Sequence, residues 1–395
     1  MRDKRTVPLV AIACGGTGGH LFPGMAVGEE LLFRGAEVML LVSQKDVDQE
    51  AVRTVRDMRV VTLPAVGMTG GGKLAFFKGA EASYRECRRV FAERPPRAVL
   101  AMGGFTSAPP IMAGRKFQAA TFIHESNSIP GRANRLLAHL VDQVFTGFSE
   151  TAGRLHNPNI HVVGTPVRPQ FEPMDPGAAR MTLGLLPDKP VLLVMGGSQG
   201  ASGINERIFQ ALPLLAKGTP DLQILHLTGP RDLEAAKAAY AKTSLRVVAR
   251  PFLTEMEYAL GAATLAVGRA GASSLAELAA MRLPAILIPY PAAVDNHQWH
   301  NAHDYTRAGA ARLLEQKDCT AELLAKEVTT LLGDQIAREK MREALAEWHQ
   351  PQAAAKMAEW MLAYVAALKS PSANPAPASG AMVPPPGMQR QSVNA

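Results

Sequence analysis

The chain has 395 residues, 47% of them hydrophobic, and a formal net charge of +7, enough for about two domains with sizeable cores. Its three cysteines, Cys14, Cys87 and Cys319, are scattered and form neither a zinc pattern nor a disulfide framework, which points to a reducing compartment. The basic balance admits phosphate-bearing substrates or anionic lipid, but aromatic residues do not interleave with the basic ones, which excludes a nucleic-acid partner, and no apolar run reaches the ~18 residues that span a bilayer.

The first apolar run, 7–14, comes after Arg2, Lys4 and Arg5. It is as short as a signal-peptide core can be, but the run and the turn behind it read as the first strand and turn of a domain. The turn is Gly15-Gly16-Thr17-Gly18-Gly19-His20, ahead of a helical pattern over 24–34. Strand, glycine turn and helix in this order bring backbone N–H groups to a helix N-terminus, which suits an anion. The glycines allow close approach where a Cβ would clash, and His20 adds a group that moves protons near neutral pH. The turn is not Gly-x-Gly-x-x-Gly and no Lys-Ser/Thr comes after it, which disfavours a standard dinucleotide site and a Walker loop.

Further strands are predicted at 37–43, 60–63, 98–102, 121–124, 143–146 and 160–163, with helices over 74–91 and 132–139. The alternation implies a parallel sheet covered on both faces. Gly103-Gly104-Phe105-Thr106-Ser107-Ala108-Pro109-Pro110 and His124-Glu125-Ser126-Asn127 fall at strand ends, on the same rim as the glycine turn. Singly, His124 or Glu125 reads as a satisfied structural group; three such segments on one rim read as a site.

A break at Gly164-Thr165-Pro166-Val167-Arg168-Pro169 and the Pro- and Gly-containing stretch to Pro190 read as an interdomain linker. A second series comes next, with strands at 191–195, 222–228, 245–249, 265–268, 285–289 and 311–314 and helices at 205–215, 273–281 and 297–308. It also opens on a glycine turn, Gly196-Gly197-Ser198-Gln199-Gly200, able to hold a phosphate. In Arg269-Ala270-Gly271-Ala272-Ser273-Ser274-Leu275-Ala276-Glu277 a strand ends and a helix starts with serine at its cap. Its N-terminus favours negative charge. Glu277 lies one turn in, either as a ribose acceptor or as an ordinary first-turn acid. Asp295, Asn296, His297, Gln298 and Asn301 add polar groups to this rim. No Asp-x-Asp motif or His/Asp cluster demands a metal. Helices over 335–348 and 353–368 close the ordered part, and 370–395, rich in Pro, Ala and Ser, reads as a disordered tail.

The fold class is therefore α/β: two doubly wound, Rossmann-like domains facing across a cleft, with sites at the carboxyl ends of the strands. The expected boundaries are 7–166, with helix 350–368 packing back on it, and 167–345.

The segments 15–20, 103–109, 124–127, 196–200, 269–277 and 295–301 fall in the order and spacing of one family. From about Val7 to Ala366 the chain resembles the MurG family, the undecaprenyldiphospho-muramoylpentapeptide β-N-acetylglucosaminyltransferases of glycosyltransferase family 28. The resemblance implies a B-type glycosyltransferase fold. It implies inverting transfer of N-acetylglucosamine from UDP-N-acetylglucosamine to the muramoyl 4-hydroxyl of lipid I, giving lipid II and UDP without metal or other cofactor. Thr17, Gly18 and Gly19 would approach the donor sugar and diphosphate, and Asn127 the N-acetylglucosamine. Arg168 and Ser198 would engage the donor across the cleft, and Leu253 would hold the uracil through its backbone. Ala272, Ser273, Ser274, Leu275, Ala276 and Glu277 would bind diphosphate and ribose, and Gln298 the sugar hydroxyls. His20 is the favoured general base, with Glu125 the alternative. The chain departs from the family at Ser126, commonly Gln, at Thr165, commonly Asn, and at the Asp-Asn-His before Gln298.

The implied location is the cytoplasmic face of the plasma (inner) membrane, as a peripheral protein, with other cell-wall synthesis proteins as candidate partners. Phe76 and Phe77, flanked by Lys73 and Lys78, read as a contact to an anionic membrane surface, against an ordinary helix with core-facing aromatic residues. Two alternatives stand beside the transferase: another UDP-sugar enzyme of the same fold, such as a 2-epimerase or a glycolipid glycosyltransferase, and a non-catalytic UDP-sugar-binding membrane scaffold.

Overall fold

A computed structural model of the chain describes residues 7–197 and 200–368. Ser198, Gln199 and the segment 370–395 lie outside the described residues. The first series is β1 (Leu9–Ala13), α1 (Gly18–Phe33), β2 (Glu37–Val42), α2 (Asp46–Ala51), β3 (Arg59–Thr62), α3 (Met68–Glu93), β4 (Ala98–Ala101), α4 (Ala108–Lys116), β5 (Ala120–Glu125), α5 (Arg132–Leu137), β6 (Gln143–Thr146), α6 (Ser149–Ala152) and β7 (Ile160–Val162). The second is α7 (Pro176–Thr182), β8 (Val191–Met195), α8 (Ser202–Gly218), β9 (Gln223–Leu227), α9 (Leu233–Tyr240), β10 (Arg246–Arg250), α10 (Met256–Ala262), β11 (Leu265–Gly268), α11 (Ala272–Ala280), β12 (Ala285–Leu287), α12 (His297–Arg307) and β13 (Arg312–Leu313), then α13 (Ala321–Gly333), α14 (Gln335–Trp348) and α15 (Ala353–Ala367).

Among the described residues, β1 to β7 form one sheet in the order β3-β2-β1-β4-β5-β6-β7, and β8 to β13 a second in the order β10-β9-β8-β11-β12-β13. Every pairing is parallel. Such a sheet is buried on both faces, and β1 shows why its strands read as continuous apolar runs. Val10 and Ile12 enter the core beneath α1 and α15, while Leu9, Ala11 and Ala13 enter the core shared with α3 and α4. In each sheet the strand order reverses beside the first strand, between β1 and β4 and between β8 and β11. The loops after those strands open the crevice where doubly wound folds bind ligands.

Two expectations need correction. α1 begins at Gly18 rather than near 24, so Gly18, Gly19 and His20 form its first turn. The glycines and Pro23 hide this start from propensity; packing overrides them, for Gly24 lies so close to β1 that an added Cβ would meet Cys14 Cβ at 2.5 Å. The stretch 164–190 is not a bare linker. It contains α7, capped by Asp175, whose carboxylate accepts from Ala178 N–H at 2.7 Å. Phe171, Ala179, Leu183 and Leu185 from this stretch are buried in the second core. An Asp cap before Pro at the first helical position is a start signal that the local density of Pro and Gly obscured. Helices α2, α4, α6, α9 and α10 fill further gaps between the strands and α13 comes after β13; α4 tolerates Pro109 and Pro110 because they fall in its first turn.

The chain crosses between the sheets twice, near 164–170 and again near 349–352, where α15 returns to the first sheet. Met357, Ala358, Met361 and Val365 join Leu21, Val27 and Leu31 of α1 in one core. Trp360 and Tyr364 pack on Phe145 and Phe122, which stack on each other at 5.9 Å. α15 is thus an integral layer of the first sheet. Met361→Ala, at a fully buried position, is expected to cost about 2–5 kcal/mol in urea unfolding; a loss below about 0.5 kcal/mol, the size of an ordinary surface change, would show that α15 is not integral.

Candidate active site

On the first rim the glycine turn is held from both sides. Gly15 runs so close to β2 that a Cβ would lie 2.3 Å from Ser43 N, and its carbonyl accepts from Thr106 Oγ1 at 2.7 Å. Gly16, at φ +113°, donates its N–H to Asp48 Oδ2 at 2.6 Å. The same oxygen accepts from Ser43 N–H at 3.0 Å and Ser43 Oγ at 2.6 Å, and Lys45 Nζ donates to Gly16 O at 2.8 Å. The turn's own polar groups at Gly15 and Gly16 are therefore largely engaged. The first helical bonds come from His20 and Leu21 N–H, both to Thr17 O, so the N–H groups of Gly18 and Gly19 lack intrahelical acceptors and face the crevice end of α1.

His20 lies on the Gly103–Gly104 backbone. A Cβ at either glycine would come within 3.1 Å of its ring, and both glycines sit at positive φ, +111° and +78°. Thr17 Oγ1 is 3.1 Å from His20 Nδ1. Desolvation in this enclosed position pushes the ring pKa down to about 4; the Asp48 charge works upward, and His297 and Lys45 downward. His20 is thus a neutral imidazole at pH 7.

Glu125, 3% exposed at the end of β5, is saturated. Oε1 accepts from Asn127 N–H at 2.9 Å and Asn127 Nδ2 at 3.0 Å, and Oε2 from Gly131 N–H and Asn134 Nδ2, both at 2.9 Å. Four donors account for a carboxylate's acceptor capacity. His124 donates Nε2–H to Gly164 O at 2.9 Å, which leaves Nδ1 to accept from Ser126 Oγ at 3.2 Å. The residue found where the family commonly has Gln thus orients this histidine, and burial pushes the His124 pKa down to about 4.

On the second rim, Ser198 lies outside the described residues. Gly200, at φ +73°, passes Thr228 so closely that a Cβ would meet its carbonyl oxygen at 2.1 Å. α11 starts one residue before the expected place. Gly271 is its cap, and neither Ser273 nor Ser274 caps through its side chain. Leu275 N–H makes the first helical bond, to Gly271 O at 3.0 Å. Ala272, Ser273 and Ser274 therefore offer N–H groups without intrahelical acceptors, and Ala276 and Glu277 continue the helix. Burial pushes the Glu277 carboxyl up to about 7; Arg168 opposes this and Glu257 adds to it.

Arg168 spans the junction between the sheets, its guanidinium 4.4 Å over the Phe22 ring and 5.0 Å over Phe171, with Nε buried and unpaired. Leu253 turns its side chain into the core, which leaves its backbone for a ligand. Gln298 accepts from Tyr290 N–H at 3.0 Å through Oε1, so its amide nitrogen is the end left for a ligand. α1 packs against α11, and Asn301 Nδ2 donates to Asn127 Oδ1 at 3.0 Å. These contacts bring His20, Asn127, Arg168, Glu277 and Gln298 around one closed cleft. Among the described residues no group of three His, Cys, Asp or Glu could hold a metal ion.

One group escaped sequence reasoning. Asp48 sits on the short, weakly patterned α2, and no local signal marks a carboxylate that braces a turn 32 residues away. The expected candidate Glu125 acts on its own loop, which is visible only once Gly131 and Asn134 fold back to it.

Residues 10–146 match the glycosyltransferase family 28 N-terminal domain and residues 191–359 the family's C-terminal domain. The protein of Geobacter sulfurreducens named UDP-N-acetylglucosamine--N-acetylmuramyl-(pentapeptide) pyrophosphoryl-undecaprenol N-acetylglucosamine transferase is 37% identical over 357 residues, covering 89% of this chain and 97% of its own length. The crystal structure of Acinetobacter baumannii MurG superimposes with a TM-score of 0.68 at 27% identity, over 90% of this chain and 99% of that one. The crystal structure of a UDP-N-acetylglucosamine 2-epimerase from Listeria monocytogenes, itself named as putative, reaches a TM-score of 0.67 at 16% identity, over 93% of this chain and 98% of that one, a likeness of fold alone. With both domain matches and relatives of this identity along nearly its whole described length, the chain belongs to glycosyltransferase family 28, among the MurG-type transferases.

Proposed function

We propose that the chain transfers N-acetylglucosamine from UDP-N-acetylglucosamine to the muramoyl 4-hydroxyl of lipid I, inverting the anomeric centre and giving lipid II and UDP. What carries this reading is the full-length likeness to relatives named for that transfer, joined to the gathering of His20, Asn127, Arg168, Glu277 and Gln298 at one cleft. The uracil sits at the Leu253 backbone and the ribose hydroxyls on Glu277. The diphosphate lies over the N–H groups of Ala272, Ser273 and Ser274, at the positive end of α11. Arg168, Ser198, Thr17, Gly18 and Gly19 complete its shell. Gln298 and Asn127 hold the sugar.

The acceptor oxygen attacks C1 on the face opposite the diphosphate. The C1–O bond to the β-phosphate breaks, its electron pair leaves with UDP, and the hydroxyl proton passes to His20. With Nδ1–H donated to Thr17 Oγ1, Nε2 keeps the lone pair that receives it. Because desolvation holds the His20 pKa near 4, the base form is present throughout the neutral range. The dipoles of α1 and α11 stabilise the departing charge. Glu125, its oxygens occupied, positions Asn127 rather than moving a proton.

Incubation with UDP-N-acetylglucosamine and lipid I should release UDP and lipid II. Epimerised UDP-sugar, transfer to a different lipid only, or binding without turnover would each favour an alternative. In that assay His20→Ala is expected to lower kcat ~10²–10⁴-fold with UDP affinity near wild type. A variant with wild-type kcat and an unaltered pH profile would remove His20 as the base.

Glu277→Ala should weaken UDP binding by about 10- to 100-fold, the scale of a hydrogen bond to a charged acceptor. Since only the ionised carboxylate accepts from both ribose hydroxyls and its pKa is raised to about 7, wild-type affinity should rise from pH 6 to pH 8 and the variant's should not. Calorimetric titration at both pH values checks this; a pH-independent wild type would take Glu277 off the ribose.

We also infer that the start of α3 rests on an anionic membrane surface. Leu74 and Phe77 are 70% and 66% exposed, Phe76 meets Phe77 edge-on at 5.5 Å, and Lys73 and Lys78 flank them in the open. No helix among the described residues is long and apolar enough to cross a membrane, so lipid I must be met at a surface. Phe77→Asp should lower co-sedimentation with anionic vesicles while leaving UDP binding alone; unchanged vesicle binding would place the membrane contact elsewhere.

A further inference from the structure

The second domain docks on the first along α12. Ahead of this helix, Asp295 pairs with Arg135 and, at 3.8 Å, with Arg132. In its last turn Arg307 pairs with Glu150 at 3.0 Å. These rim pairs are solvent-exposed in part and weak by nature. Between them Asn301 is fully buried and makes three bonds. Its Oδ1 accepts from Ser128 N–H at 2.9 Å, and its Nδ2 donates to Asn127 Oδ1 at 3.0 Å and to Ala270 O at 3.1 Å. One amide thus ties the loop after β5 to the residue just before the cap of α11.

The bonds have a fixed direction. Glu125 is acceptor-only when ionised and takes Asn127 Nδ2, so Asn127 Oδ1 must point to the second domain. Only a donor can meet it there, and Asn301 Nδ2 is that donor. With the domains apart, Asn127 keeps its Glu125 bond but loses this second anchor.

We propose that Asn301 is a positioning residue for donor-sugar recognition. It locks Asn127 into its sugar-facing orientation only when the two domains close, which makes closure a condition of recognising the sugar rather than the nucleotide. This rests on the proposed transfer, in which Asn127 contacts the N-acetylglucosamine and the nucleotide binds the second domain.

Asn301→Asp tests it with little change of shape. The carboxylate keeps an acceptor for Ser128 N–H but sets oxygens against Asn127 Oδ1 and Ala270 O. Rotation of the Asn127 amide gives no relief, because it would turn Oδ1 onto Glu125. UDP should bind the variant within about 2-fold of wild type. The extra affinity of UDP-N-acetylglucosamine over UDP should vanish, and kcat should fall about 10- to 100-fold, the scale of a buried polar group left unmatched. Asn301→Ala, which adds no charge, should shift in the same direction by less, and melting curves of both establish that the compared proteins are folded. A folded variant that keeps both the sugar increment and kcat overturns the proposal. Equal loss of UDP and UDP-N-acetylglucosamine affinity also overturns it, since that marks a merely structural role. A wild-type protein that does not distinguish the two ligands overturns the donor reading itself, and the proposal with it.

Discussion

The order of the cleft depends on one buried carboxylate. An ionised Glu125 out of water would be very costly without partners, and four N–H donors from Asn127, Gly131 and Asn134 supply them. Those donors are the loop itself, so satisfying the charge fixes the path of residues 126–131 and the direction of the Asn127 amide. Asn134 also donates to His124 O at 2.9 Å, and His124 reaches on to Gly164 at the crossing between the domains. The charge that organises the loop therefore also fixes the edge along which the second domain meets the first.

The two halves solve the same problem by related means. Each places a glycine-rich turn after its first strand, at the point where strand order reverses, and has a polar network close by. In the first half Asp48 takes Gly16 and Ser43. In the second, Asn205 holds Thr228 O and Asp232, and His226 donates Nε2–H to Asn205 Oδ1 at 2.9 Å while Nδ1 accepts from Tyr240. The first network takes up backbone atoms of the turn itself; the second takes up Thr228 O, the atom that Gly200 passes closely. In the first half, the N–H groups at the start of α1 are left free.

The carboxylates and histidines of the cleft owe their character to enclosure. Neither His20 nor Glu277 would stand out in isolation. Enclosure removes charge from the imidazole and raises the carboxyl toward neutrality, in the directions that desolvation dictates for a base and an acid.

The β-α alternation was legible because fully buried parallel strands must be apolar along their whole length, as in Val191–Met195, and because glycine turns punctuate them. The candidate segments were legible because polar residues at strand ends have few bland explanations when several share a rim. Helix α7 was not, because it is short and lies in a stretch whose Pro and Gly residues read as a linker, while its buried residues pack into the second core. The start of α1 was hidden by residues whose propensity runs against helix and whose packing on Cys14 overrides it. By itself, then, the sequence determined the strands, the turns and the family, all of which rest on local pattern. Only the tertiary structure decided that Glu125 gathers the loop of Asn127, Gly131 and Asn134 about its carboxylate, that Asp48 holds the glycine turn and that Asn301 joins the domains. A hydrogen bond between residues far apart in the chain leaves no period or spacing behind it; it exists only once both partners have been brought to the same place.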